Sequence, residues 1–157
     1  MTETANMDRL DEQIVDELQR DARIPLRDLA QIVGAAPSTC SERIRRLEQR
    51  GVITGFRAEV SLSALGRRVQ ALVSAQVRPL SADVIDTFER EALAMPEVMA
   101  VYVLAGGDDF LLHVGAGSIE DLHFFLVDKL SRRREVISFR TSTIFRHARN
   151  QTLTRLR

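Results

Sequence analysis

With 157 residues and 45% apolar side chains, the chain can close one ordinary core or two small ones and is globular rather than disordered. Its 22 basic and 22 acidic residues cancel, which excludes a uniformly basic coat and confines any nucleic-acid contact to a local patch. One cysteine, Cys40, leaves neither a disulfide framework nor a CxxC motif, and the longest apolar run, 98–105, is far short of the roughly 20 residues a membrane span requires.

Residues Met1 to Asp8 carry Glu3 and no basic region leading into an apolar run, so no secretory signal is expected. A reducing cytoplasm and no membrane contact are the expected setting. Leu10, Ile14, Val15 and Leu18 then recur at helical spacing with acidic residues between them, predicting a first helix. After a turn at 21–25, Leu26, Leu29, Ala30 and Val33 predict a second short helix stopped by Gly34. Ala35-Ala36-Pro37 is a tight connection, and a third helix is expected from Ser38 to Arg50, with Gly51 ending it. Two short helices joined so closely are the helix-turn-helix pattern. Residues 52–60 are rich in β-branched side chains and read as a short β wing or connecting strand, followed by a linker at 61–66.

The second half alternates. Strand-like Val69 to Val77 precedes a helix from Ser81, its cap, to Met95; strands at 98–104 and 110–114 flank the turn Gly106-Gly107-Asp108; a helix at 118–130 and a strand at 136–145 complete the series. This β-α-β-β-α-β order is the ferredoxin-like split arrangement, with helices on one face of the sheet. The other face is left open, and a second copy of the chain is the simplest cover, which predicts a homodimer. The expected fold is α+β: a (winged) helix-turn-helix domain at 1–60, a linker at 61–66, and a ferredoxin-like domain at 67–157.

On the third helix, Cys40, Ile44 and Leu47 lie at i, i+4 and i+7 and must face the first two helices. Projection at about 100° per residue puts Ser38, Glu42, Arg45, Arg46 and Gln49 on the opposite side, with Thr39, Ser41 and Arg43 on the flanks. Arginine pairs with guanine O6 and N7, and serine and threonine reach bases or phosphates, so Ser38, Thr39, Ser41, Arg43, Arg45 and Arg46 are the candidate contacts to double-stranded DNA. Between Arg43 and Arg57 five arginines face one acidic residue, Glu48, a local excess in a neutral chain. Thr39-Cys40-Ser41-Glu42 has the spacing of a capping box, which assigns Glu42 to the cap amide ahead of a base. Cys40 reads as a small buried apolar residue rather than a redox sensor.

The chain resembles the Lrp/AsnC, or feast/famine, regulators over nearly its whole length. The resemblance is carried by 7–11 with Ile14-Val15, by Leu18-Gln19-Arg20-Asp21-Ala22-Arg23, and above all by Cys40-Ser41-Glu42-Arg43-Ile44-Arg45-Arg46-Leu47-Glu48 followed by Gly51-Val52-Ile53. It implies a sequence-specific, nucleoid-associated transcription regulator acting on amino-acid metabolism genes. It also implies homodimers that assemble further into octamers, and an amino-acid effector held between partner domains. The effector site implied lies at the turn between the second and third strands, here Gly106, Gly107, Asp108 and Asp109, with the last strand adding Ser142 and Thr143. Gly107 stands where better-known members carry an acidic residue. Glycine amides there suit a carboxylate and Asp109 an ammonium group, although Gly-Gly-Asp-Asp is also simply a good hairpin turn.

No enzymatic activity, metal or cofactor is expected. His113, His123 and His147 show no short metal-ligand spacing, adjacent Asp108 and Asp109 point to opposite sides of a strand, and no GxxxxGK[ST] phosphate loop occurs. Arg146, Arg149, Arg155 and Arg157 at the tail read as a frayed terminus ahead of a DNA contact. Two rival functions are an architectural DNA-packaging protein without an effector, disfavoured by the neutral net charge, and a ligand-binding ferredoxin-like protein whose helices serve only assembly.

Overall fold

The computed structural model describes residues 7–156. Residues 1–6, which carry most of the segment read for a secretory signal, and Arg157 of the basic tail lie outside the described residues. The chain divides into two compact units: one runs to Glu59 and takes in the segment from Ala148 onward, and the other is Val60–His147.

In the first unit, α1 spans Arg9–Arg20, α2 Leu26–Val33 and α3 Pro37–Gln49. A capping box opens α1: Asp8 accepts from the Asp11 amide at 2.9 Å, and the Asp11 carboxylate accepts from the Asp8 amide at 3.4 Å. Gly34 ends α2 at φ +67°, and Gly51 follows α3 at φ +69°, the left-handed conformation in which a side chain is strained. The predicted stripe faces the core: Cys40 and Leu47 are fully buried in a cluster with Ile14, Leu29, Ala30 and Val33, and half-buried Ile44 packs against it.

Three local features differ from expectation. First, α3 begins at Pro37 rather than Ser38, with Ala36 as its N-cap and no side-chain cap. Proline is preset for the first helical position and has no amide hydrogen to satisfy, so the capping box assigned to Thr39 and Glu42 is not formed. Second, no strand occurs at 52–60. The Val52 and Ile53 amides instead donate to the Leu47 carbonyl, at 2.9 and 3.2 Å, and both side chains pack on the helical core. β-Propensity records fit to a pleated neighbour, and here the neighbour is a helix end. Third, the segment from Ala148 groups with the helices rather than with the sheet. Leu153 donates to Gln19 Oε1 at 2.8 Å and accepts from its Nε2 at 3.1 Å, Arg155 reaches the Met7 carbonyl, and Arg149 pairs with Glu59 at 3.0 Å. Two tail arginines are thereby spent on protein partners.

The second unit begins with turns at 62–66, closed by Arg67 N–H donating to the Leu62 carbonyl at 2.8 Å. It contains β1 (Val69–Val77), α4 (Ala82–Leu93), β2 (Val98–Val103), β3 (Phe110–Ala116), α5 (Ile119–Phe124) and β4 (Val136–Thr143). The helix α5 widens into a π-helical stretch, Phe125–Leu130, before β4. Ser81 and Ser118 cap α4 and α5 through the Val84 and Asp121 amides. The four strands form one antiparallel sheet in the order β2-β3-β1-β4, the ferredoxin-like α+β topology.

Alternation along β1 decides the faces. Ala71, Val73, Ala75 and Val77 are fully buried, and Ala71, Val73 and Val77 pack with Phe110, Leu112, Val114, Phe88, Leu122 and Phe125. Their neighbours Gln70, Leu72, Ser74 and Gln76 point the other way. Through the register, Leu111, His113, Tyr102 and Arg140 share that second face. It is the open face, and Tyr102 on it is 51% exposed.

Candidate DNA interface and effector turn

The exposed side of α3 carries Ser38, Thr39, Ser41, Arg45 and Arg46, all open to solvent. These five converge on one surface because Cys40 and Leu47 anchor the opposite side of the helix. Arg45 and Arg46 do not stand alone. Glu42 Oε2 accepts from Arg45 Nη2 at 2.8 Å and Nε at 3.1 Å, and Glu42 Oε1 accepts from Arg46 Nε at 2.9 Å. One carboxylate thus holds two guanidinium groups, and the Arg45 and Arg46 hydrogen bonds lower its pKa from the ordinary glutamate value.

Arg43 behaves differently from its neighbours. It turns toward α1, donating to Asp8 Oδ2 at 2.5 Å and to Asp11 Oδ1 at 3.0 Å. Asp11 is 3% exposed, and Arg50 stands 3.8 Å from its other oxygen. The Asp11 backbone amide and then Arg43 hold the Asp8 carboxyl below its usual value. Arg43 therefore ties α3 to α1, and the free surface it was expected to join carries Arg45 and Arg46. Acidic residues at positions 8 and 11 were the signal for this brace, visible in the sequence but without a partner there.

In the second unit, the turn joining β2 to β3 is held against the end of β1. The Asp109 amide donates to the Ala75 carbonyl at 3.0 Å, and its carboxylate accepts from the Val77 amide at 2.8 Å and from Arg78 Nη1 at 2.7 Å. Asp109 is 8% exposed, so its carboxylate is a structural fastener rather than an open ammonium acceptor. Asp108 pairs with Arg140 at 2.5 Å, and Gln76 Nε2 donates to the Gly107 carbonyl at 2.5 Å. Ser138 donates to Gln76 Oε1 at 2.9 Å. Gly106 and Gly107 are exposed, with open space where a Cβ would stand.

Ser142 and Thr143 are not at this turn. Register pairs Ser142 with Leu72 and Ser138 with Gln76, so Ser142 lies four residues further along β4, about 13 Å at the strand rise. The strand residues near the turn are Ser138 and Arg140, which sequence reading passed over; only the sheet order identifies them.

The open face also brings together two histidines that are far apart in sequence. His113 and His147 have ring centroids 6.3 Å apart, and His113 Nε2 lies 3.0 Å from Gln70 Oε1. Burial, and then His147, lower the His113 pKa from its ordinary value. Among the described residues no cluster of three metal-ligating side chains occurs.

Comparisons with known proteins match both halves of the chain. The winged helix-turn-helix DNA-binding family matches residues 7–54, and the Lrp/AsnC ligand binding domain matches residues 70–153. The chain is 44% identical over 144 residues to the HTH-type transcriptional regulator AldR of Mycolicibacterium smegmatis, covering 92% of this chain and 84% of that protein. It is 31% identical over 150 residues to the leucine-responsive regulatory protein of Rhizobium meliloti, covering 96% of each. Among solved structures, AsnC of E. coli matches with a TM-score of 0.83 at 27% identity over 94% of this chain and 98% of that one. The first two relatives are named as a transcriptional regulator and a regulatory protein. The chain belongs to the Lrp/AsnC family of DNA-binding transcriptional regulators.

Proposed function

We propose that α3 reads an operator in the major groove through Ser38, Thr39, Ser41, Arg45 and Arg46, and that an amino acid bound at the β2–β3 turn modulates this binding. The observation that carries the first part is the exposure of Arg45 and Arg46 on the side of α3 opposite Cys40 and Leu47. A dimer would place two such helices about one helical turn of DNA apart, or a multiple of it. The open sheet face supplies the pairing surface, with octamers as the higher assembly. The targets are genes of amino-acid metabolism, and the setting is the cytoplasm at the nucleoid.

The effector reading is supported by the ligand-binding family matched at 70–153 and by a relative named as leucine-responsive. A zwitterion needs one positive and one negative partner. The Asp108–Arg140 pair offers both poles beside the exposed Gly106 and Gly107 backbone, so Asp108 replaces Asp109 as the ammonium acceptor. An effector regulates only through a difference in affinity between two states of the protein.

Replacing Arg45 and Arg46 together with alanine tests the DNA reading. Operator affinity in a gel shift at fixed salt should fall at least tenfold, by roughly one lost base contact or more, while the oligomer is retained. Undiminished affinity defeats the assignment, and equal competition by random DNA would favour a packaging role. A thermal-shift screen of the amino acids tests the sensor, which fails if none raises the melting temperature.

A further inference from the structure

We infer that Glu42 is a base-selecting residue of the recognition helix, one that demands a cytosine beside the guanine read by Arg45 or Arg46. This rests on the reading of α3 as the recognition helix. Glu42 lies three and four residues before Arg45 and Arg46, on the side of α3 away from Cys40 and Leu47, and its side chain is 40% exposed. It does not cap the helix, because Ala36 and Pro37 begin α3 without a side-chain cap. Its contacts are the two arginines that face solvent.

An ionised carboxylate only accepts hydrogen bonds. The major-groove edge of guanine presents acceptors alone, thymine presents an acceptor and a methyl group, and adenine sets an acceptor beside its amino donor. Cytosine N4 is the donor without a competing acceptor next to it. Entering the groove also draws an arginine off the Glu42 carboxylate and onto guanine O6 and N7. The carboxylate then loses donors unless the DNA supplies one. A G·C pair satisfies both sides at once: arginine on guanine, Glu42 on cytosine. On non-specific DNA the same carboxylate keeps the arginines occupied and faces phosphates and acceptors, so it selects against the wrong sequence as well as for the right one.

Glutamine at this position would present an acceptor and a donor together, the pattern that matches adenine N6 and N7. Selection from a randomised duplex library with the full-length protein and with Glu42→Gln tests this directly. The wild type should select a cytosine at one position of each half-site, whose replacement by adenine weakens binding about tenfold. Glu42→Gln should lose or invert that preference, bind random duplex more tightly, and steepen the salt dependence of random-duplex binding by about one phosphate contact.

If Glu42→Gln tightens binding uniformly with the base ranking unchanged, Glu42 is merely a repelling charge and the inference falls. If the variant melts well below the wild type, the residue is structural and the inference falls as well. Failure of the underlying reading is separable: the Arg45/Arg46 double alanine variant would then bind the wild-type operator undiminished, whatever the behaviour of Glu42→Gln.

Discussion

Arg43 of α3 donates to Asp11 of α1 at 3.0 Å, and Asp11 is 3% exposed. A carboxylate this buried needs its cation, because the alternative is an uncompensated charge out of water. On the proposed reading of α3, two neighbouring arginines on the same helix turn have opposite tasks, Arg43 as a brace and Arg45 as a DNA contact. Arg43→Ala should lower the melting temperature while changing operator affinity by less than the roughly tenfold expected for a lost base contact. Arg45→Ala should do the reverse. Asp11→Ala should destabilise the helical unit by about 2 kcal/mol, since it removes both the pair and one half of the capping box. Thermal melts alongside gel shifts at one salt concentration separate these outcomes. An Arg43→Ala protein of wild-type stability that fails to bind DNA would return Arg43 to the interface.

Asp109 and the glycines beside it should also part company. Asp109→Ala strips the acceptor from a buried amide, that of Val77, and from Arg78, so the sheet unit should lose about 2 kcal/mol whether or not an effector is present. Gly106→Ala and Gly107→Ala meet no atom within 4 Å and require no left-handed backbone, so stability should stay near wild type. If an effector closes on the glycine backbone, these two variants and Arg140→Ala should weaken its binding in calorimetry at unchanged melting temperature. Effector affinity indifferent to all three moves the site elsewhere.

Much of this fold was legible in the chain. The period-2 and period-3.6 patterns delimit β1 at 69–77 and place Cys40 and Leu47 inside, because burial on one face is the dominant free-energy term and leaves its spacing in the sequence. Side-chain partners across elements leave no such spacing. Arg43 meets Asp8 across 35 residues, Arg140 meets Asp108 across 32, and Gln19 meets Leu153 across 134. Each depends on register or docking that only the folded chain fixes. The same reason hides the height of Ser142 on its strand, four residues along β4 from Ser138, which only the register supplies. Glu42 was misread for a different cause, since a capping-box spacing is satisfied by sequence alone while Pro37 had already supplied the helix start.

His113 sets a pH dependence on the sheet unit. Its pKa is lowered in the folded chain, first by burial and then by His147, so the neutral imidazole is the form the fold favours. The unfolded chain therefore binds the proton more readily, and stability rises with pH across the interval between the folded and unfolded values. Descending from about pH 8 to about pH 5, stability should hold above the ordinary value and then fall until the folded pKa is passed. His113→Gln should flatten this slope, leaving the acid loss due to the lowered Asp8, Glu42, Glu97 and Glu135 carboxylates at still lower pH. Melting temperatures across that range decide it: a slope equally steep without the imidazole assigns the titration to another group.

Cys40 should be chemically silent in the native protein. The residue is 0% exposed within the helical core, and burial pushes its thiol pKa up, so the reactive thiolate is scarce and unreachable. A water-soluble thiol reagent should modify it only as fast as the helical unit opens, and addition of denaturant should release the full stoichiometric reaction. Mild oxidant should leave operator affinity unchanged, and Cys40→Ala should behave the same way apart from a stability loss of about 1 kcal/mol for the lost sulfur contacts. Rapid labelling of the folded chain, or oxidant-sensitive DNA binding abolished by Cys40→Ala, would show instead that the core opens at α3 often enough for this thiol to sense redox conditions.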